Sequence, residues 1–128
     1  MAPQELKGIL VALVTPFTDD GKAVHEGRLQ AHIERMINAG VHGLVPGGTT
    51  GEFTAMTLEE RKQATELCVK YVAGRVPVVA GVGALSTREC VDLATHAVKA
   101  GAAALMVVPP CTYQQNQRSD DAPANGAV

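Results

Sequence analysis

Tryptophan is missing from this 128-residue chain, and its aromatic residues come to two Tyr and two Phe, 3% of the total. The core must therefore be built from Val, Leu, Ile, Ala and Met. Excess charge is missing too. A formal net charge of −2 gives no electrostatic reason to expect nucleic acid or an anionic membrane as partner. No apolar run reaches the ~18 residues that a membrane-spanning helix needs. The start, Met-Ala-Pro-Gln-Glu-Leu-Lys-Gly, lacks the charged-then-apolar layout of a secretory signal, so a cytoplasmic location is expected. The three cysteines have no CxxC spacing, and the four histidines (25, 32, 42 and 96) have no HxxxH or HExxH pairing. Neither a metal site nor a cofactor is expected. Cys68 and Cys90 fall on helical apolar faces as small hydrophobes, and Cys111 lies outside any helical pattern.

Apolar segments supply what the aromatics do not. Four short runs recur, at 9–14, 41–46, 77–81 and 103–108. They are continuous rather than alternating, which is the mark of strands buried on both faces of a parallel sheet. Three helical patterns separate them, over about 25–39, 57–73 and 86–100. Leu29, Ile33, Met36 and Ile37 share a face in the first. Ala64, Leu67, Cys68 and Tyr71 do so in the second, and Cys90, Ala94, Ala97 and Val98 in the third. Thr57 with Glu60, and Ser86 with Glu89, predict capping boxes at two helix starts. Gly40 and Gly101 stop the first and third helices. A weak repeat supports the parse, since Asn38-Ala39-Gly40 and Lys99-Ala100-Gly101 each lead into an apolar run. The order is βαβαβαβ in units of roughly 30 residues, an α/β arrangement of parallel strands.

Between the second apolar run and the second helix lies Gly47-Gly48-Thr49-Thr50-Gly51-Glu52. A glycine-rich turn beyond a strand's carboxyl end, where α/β folds open onto a crevice, lets backbone N–H groups approach a carboxylate closely. A helix start beside it would favour the same anion.

Read in order, the pieces resemble the dihydrodipicolinate synthase/N-acetylneuraminate lyase family of class I aldolases. The resemblance runs from Gly8-Ile9 through Val14-Thr15-Pro16-Phe17 and Ala39-Gly40-Val41 to the GGTTGE turn. It continues with Thr57-Leu58-Glu59-Glu60-Arg61 and Val78-Val79-Ala80-Gly81-Val82-Gly83, and ends with Ala100-Gly101-Ala102 to Pro109-Pro110. It implies a (β/α)8 barrel of which residues 1–110 form the amino-terminal half, with the active site at the carboxyl ends of the strands. It also implies a lysine on a later strand that forms a Schiff base with pyruvate or a related 2-oxo acid. The resulting enamine attacks an aldehyde, or the reverse cleavage occurs. By position, Gly48 and Thr50 resemble the carboxylate-binding groups, and Thr49 resembles the hydroxyl that relays a proton between tyrosines.

The chain departs from the family pattern in three places. Cys111-Thr112 stand where a tyrosine pair usually follows the fourth strand, and Tyr113 is one position late. Leu85 replaces an Asn or Thr after Gly81-Val82-Gly83-Ala84. The five lysines (7, 22, 62, 70 and 99) all fall outside the apolar runs, where nothing desolvates an amine for attack. Residues 111–128 read by composition as a disordered, non-family tail. The whole reads as a truncated aldolase or lyase, inactive alone. Two other readings stand beside it: a non-catalytic half-barrel that forms a homo-oligomer or pairs with a full-length relative, and a small 2-oxo-acid-binding module. In any of them Val107, Met106, Leu67 and Val98 are expected to lack the neighbours of a closed barrel.

Overall fold

The computed structural model describes residues 4–109. The tail expected over 111–128 lies outside them. Four strands and three helices alternate: β1 (Leu10–Ala12), α1 (Glu26–Asn38), β2 (Gly43–Val45), α2 (Leu58–Val72), β3 (Val79–Gly81), α3 (Thr87–Ala100) and β4 (Ala104–Met106). β1 pairs in parallel with β2, Val11 opposite Leu44, and β3 pairs in parallel with β4, Ala80 opposite Leu105. A parallel bridge between Leu44 and Val78 joins the two halves. It is supported by the Leu44 N–H to the Pro77 carbonyl at 3.0 Å and the Gly81 N–H to the Pro46 carbonyl at 2.8 Å. The spatial order is thus β1-β2-β3-β4, a parallel sheet that forms part of a (β/α)8 barrel. The strands are shorter than the apolar runs, but single bonds such as Leu13 N–H to Val45 carbonyl and Val82 N–H to Met106 carbonyl, both 3.0 Å, carry the pairing onward.

Helix ends follow local chemistry. Thr57 and Glu60 form a complete capping box at α2. At α3 the Ser86 hydroxyl accepts from the Glu89 N–H, but the return bond expected from Glu89 is not made among the described residues. α1 starts on a cap that its sequence does not advertise, the His25 ring accepting from Arg28 N–H. Gly40 and Gly101 sit in the left-handed region after α1 and α3, at φ 86° and 102°.

Two cores form on the helical side of the sheet. Leu13, Leu44 and Val78 pack with Leu29 and Ile33 of α1 and Leu67, Cys68 and Val72 of α2. Ala80 and Val82 pack with Leu93 and Ala97 of α3. Two expectations need correction. Leu67 is not left without neighbours; it is only 8% exposed, because it packs in one cluster with Leu13, Leu29, Ile33, Leu44 and Val78. On α3 the buried stripe centres on Leu93 and Ala97, four residues apart, and this turns Val98 to the flank at 62% exposure. Val98 and Val107 do lie open, as do Leu10 on β1 and Leu105 on β4. Among the described residues the two edge strands have a partner on one side only.

Candidate functional site

The chain leaves β2 at Val45-Pro46 and turns at once. Gly47 takes φ 74°. A Cβ there would stand 2.9 Å from the Gly81 carbonyl oxygen of the neighbouring strand end, so glycine is required for both conformation and space. Gly51 abuts the end of β1: a Cβ would stand 3.0 Å from the Leu13 carbonyl and 3.1 Å from the Thr15 hydroxyl. That hydroxyl donates to the Gly51 carbonyl at 2.8 Å. The turn is internally bonded as well, by Gly51 N–H to the Gly48 carbonyl at 3.1 Å and Glu52 N–H to the Thr49 carbonyl at 3.0 Å.

This bonding leaves donors over. Among the described residues, the N–H groups of Thr49 and Thr50 have no intramolecular acceptor, and neither do the two threonine hydroxyls. Both threonines are exposed, whereas Gly47, Gly48 and Gly51 are buried. Gly48 faces the end of β4, since a Cβ on it would meet the Met106 methyl at 3.3 Å. The turn therefore brings Gly48, Thr49 and Thr50 to the carboxyl ends of the strands, between β1 and β4, and presents a small set of unspent donors. Unspent N–H groups and hydroxyls on a short turn are what a carboxylate needs.

One expected contribution is absent. α2 does not begin at the turn. Glu52 adopts φ 61°, a short 3₁₀ turn covers Phe53–Ala55, and Thr57 caps the helix only then. The positive end of α2 thus lies more than a turn of chain beyond Thr50, and its dipole is not directed at the threonines in the way a helix opening at the turn would allow. The left-handed Glu52 and the 3₁₀ segment redirect the chain between strand and helix, which no capping signal in the sequence shows.

Sequence reading also missed Arg61. It is 5% exposed, donates from Nη2 to the Gly81 carbonyl at 3.2 Å, and sits with Cζ 4.8 Å from the centre of the Phe53 ring. Burial lowers its pKa from the ordinary guanidinium value, against the opposing pull of Cys90 and Glu89. A signal was there to find. Arg61 falls in register with Ala64, Cys68 and Val72 on the buried stripe of α2, and a charge on such a stripe calls for a reason.

The five lysines all lie off the strands. Lys62 and Lys70 are on α2 and Lys99 on α3, while Lys7 and Lys22 lie outside the strands. Lys62 pairs with Asp92 at 2.9 Å and Lys70 with Glu26 at 3.0 Å. The hydrogen bond it donates to Asp92 raises the first ammonium above its ordinary pKa, and the one donated to Glu26 raises the second. This is the opposite of what a nucleophilic amine requires.

A model of the Dihydrodipicolinate synthetase family matches residues 5–121. The chain belongs to that family. The match takes in all seven strands and helices, the GGTTGE turn and part of the stretch after Pro110. The chain is 52% identical over 113 residues to the 4-hydroxy-tetrahydrodipicolinate synthase of Bartonella quintana, covering 88% of this chain and 38% of that one. Against the same enzyme of Methanopyrus kandleri it is 45% identical over 106 residues, covering 83% of this chain and 35% of that one. Among solved structures, a putative dihydrodipicolinate synthetase from Pseudomonas aeruginosa superposes with a TM-score of 0.83 at 36% identity, over 88% of this chain and 38% of that one. A prophage protein of the family from E. coli K12, solved in complex with pyruvate, superposes with a TM-score of 0.82 at 37% identity, over 85% and 36%. The chain spans less than two-fifths of the length of these family members.

Among the described residues no helix is long and apolar enough to cross a membrane.

Proposed function

We infer that this chain supplies the 2-oxo-acid carboxylate cradle of a pyruvate-dependent class I aldolase or lyase, and that it does not carry out the chemistry by itself. The observation that carries the reading is the pair of unspent N–H groups at Thr49 and Thr50 beside two unspent hydroxyls. The pyruvate bound to the E. coli K12 family member, and to the enzyme from Acinetobacter baumannii at 37% identity, supports the choice of ligand. In this reading Gly48 allows the carboxylate to approach the backbone, Thr50 binds it through its hydroxyl, and Thr49 passes a proton. Schiff-base formation needs a neutral amine at the 2-oxo carbon and a relay that removes water from the carbinolamine. The paired, raised-pKa lysines on α2 do not provide that amine.

Incubation with pyruvate and borohydride followed by mass spectrometry tests the second half of the reading. No adduct is expected, and a stoichiometric adduct on one lysine overturns it. Pyruvate titration followed by amide NMR tests the first half. Weak, saturable shifts at Thr49 and Thr50, further weakened in Thr50→Ala, are expected, and shifts absent from both residues overturn it.

A second reading, a homo-oligomer without catalysis, is favoured by the open edges at Leu10 and Leu105 and the exposed Val107. Gel filtration with light scattering decides it: a monomer at all concentrations sinks it.

A further inference from the structure

A guanidinium is costly to bury unless its donors find partners, yet Arg61 is buried between α2 and the sheet with its Nε bonded to nothing among the described residues. Among the described residues no carboxylate pairs with it. Its contacts go instead to two groups far apart in sequence. The first is the Gly81 carbonyl at 3.2 Å. Gly81 seats the start of the GGTTGE turn: its N–H donates to the Pro46 carbonyl at 2.8 Å, and its carbonyl oxygen lies against Gly47. The second is the ring of Phe53, 4.8 Å from Cζ, on the residue directly after Glu52. Gly47 and Glu52, the first and last residues of the turn, are both in the left-handed region, at φ 74° and 61°. Such a conformation at Glu52, which has a Cβ, persists only where its surroundings hold it.

We propose that Arg61 is a positioning residue that clamps the Gly47–Glu52 turn at both ends, through the Gly81 carbonyl and the Phe53 ring, and so keeps the N–H groups of Thr49 and Thr50 free of the chain's own acceptors. Bonding of Nη2 to a backbone carbonyl fixes the strand side. Stacking of the guanidinium on an aromatic face fixes the far side. The clamp itself stands on these contacts; its consequence for a ligand rests on the carboxylate-cradle reading above.

Amide hydrogen exchange on the whole chain tests it, with Arg61→Met and Arg61→Lys beside the parent. The Gly51 and Glu52 amides, bonded within the turn, should exchange about tenfold faster or more in Arg61→Met, while amides of α1 around Ile33 keep their rates. Lysine should recover part of the protection, because an ammonium can still donate to the Gly81 carbonyl over the Phe53 ring but lacks the planar fork. Exchange that quickens equally in α1 and the turn, or not at all in the turn, overturns the clamp. Should Arg61→Met fail to fold, Phe53→Leu retains the bond to Gly81 and removes only the ring. Faster exchange at Glu52 and Ala55 is then expected, and unchanged rates there overturn the proposal. Pyruvate-induced shifts at Thr49 and Thr50 should shrink in Arg61→Met. If pyruvate shifts nothing in the parent chain, the cradle reading fails, and the exchange rates still decide the clamp.

Discussion

Replacing Gly47 by alanine should damage this protein more than replacing Gly40, although both glycines stand in the left-handed region, at φ 74° and 86°. The conformational cost is shared: an L side chain held there costs about 1 kcal/mol relative to glycine. The spatial cost is not. Among the described residues nothing lies within 4 Å of a Cβ built on Gly40, whereas one on Gly47 stands 2.9 Å from the Gly81 carbonyl oxygen. That oxygen cannot easily retreat, because Gly81 is tied to Pro46 at 2.8 Å and to Arg61 at 3.2 Å. Forcing a methyl group into such a contact adds about 1–3 kcal/mol. Gly40→Ala should therefore cost about 1 kcal/mol and Gly47→Ala about 2–4 kcal/mol. Urea denaturation is the assay, comparing midpoints at a common slope so that the difference reports native-state stability. Equal losses for the two variants would refute the argument, because the close approach of the β2 and β3 ends would then carry no energetic weight.

Three further outcomes follow from local chemistry. Thr57→Ala removes the hydroxyl half of a complete capping box and should cost about 1–2 kcal/mol, while Ser86→Ala, which breaks a one-sided cap, should cost about 0.5–1 kcal/mol; a reversed order in urea midpoints would contradict the bonding seen at the two helix starts. Burial pushes the Cys68 thiol up to about 12, so iodoacetamide at mildly alkaline pH should label half-buried Cys90 and leave Cys68 unmodified in the native chain, with equal labelling by peptide mapping counting against the packing. The Glu26 carboxyl is held below its ordinary pKa first by the Tyr71 hydroxyl and then by Lys70. A carboxylate whose folded pKa lies below its unfolded value stabilises the fold above the unfolded pKa, and that contribution disappears as the pH falls through the folded value. Tyr71→Phe should accordingly raise the Glu26 midpoint toward the ordinary value in a carboxyl NMR titration, and a midpoint that stays put would remove Tyr71 as the cause.

What the sequence determined by itself was, for the most part, what has a short-range cause. Continuous apolar runs gave the parallel strands, and glycine at 40 and 101 and threonine at 57 gave the helix limits, because backbone conformation and orphan N–H groups are settled within a few residues. The position of the GGTTGE turn was legible for the same reason. The tertiary structure decided what depends on neighbours distant along the chain. Leu93 rather than Val98 faces the core, because Ala80 and Val82 lie beneath that side of α3. The His25 cap, the left-handed Glu52 and the 3₁₀ segment before α2 are set by how the chain must travel from strand end to helix, which no local motif encodes. Arg61 is the clearest case. Its register on the apolar stripe of α2 singles it out, but it becomes an element of the candidate site only because folding brings Gly81 and Phe53 to the same guanidinium. Short-range preferences repeat wherever the same residues recur, but a contact between residues 20 apart, as in Arg61 to Gly81, exists only once the sheet has been assembled.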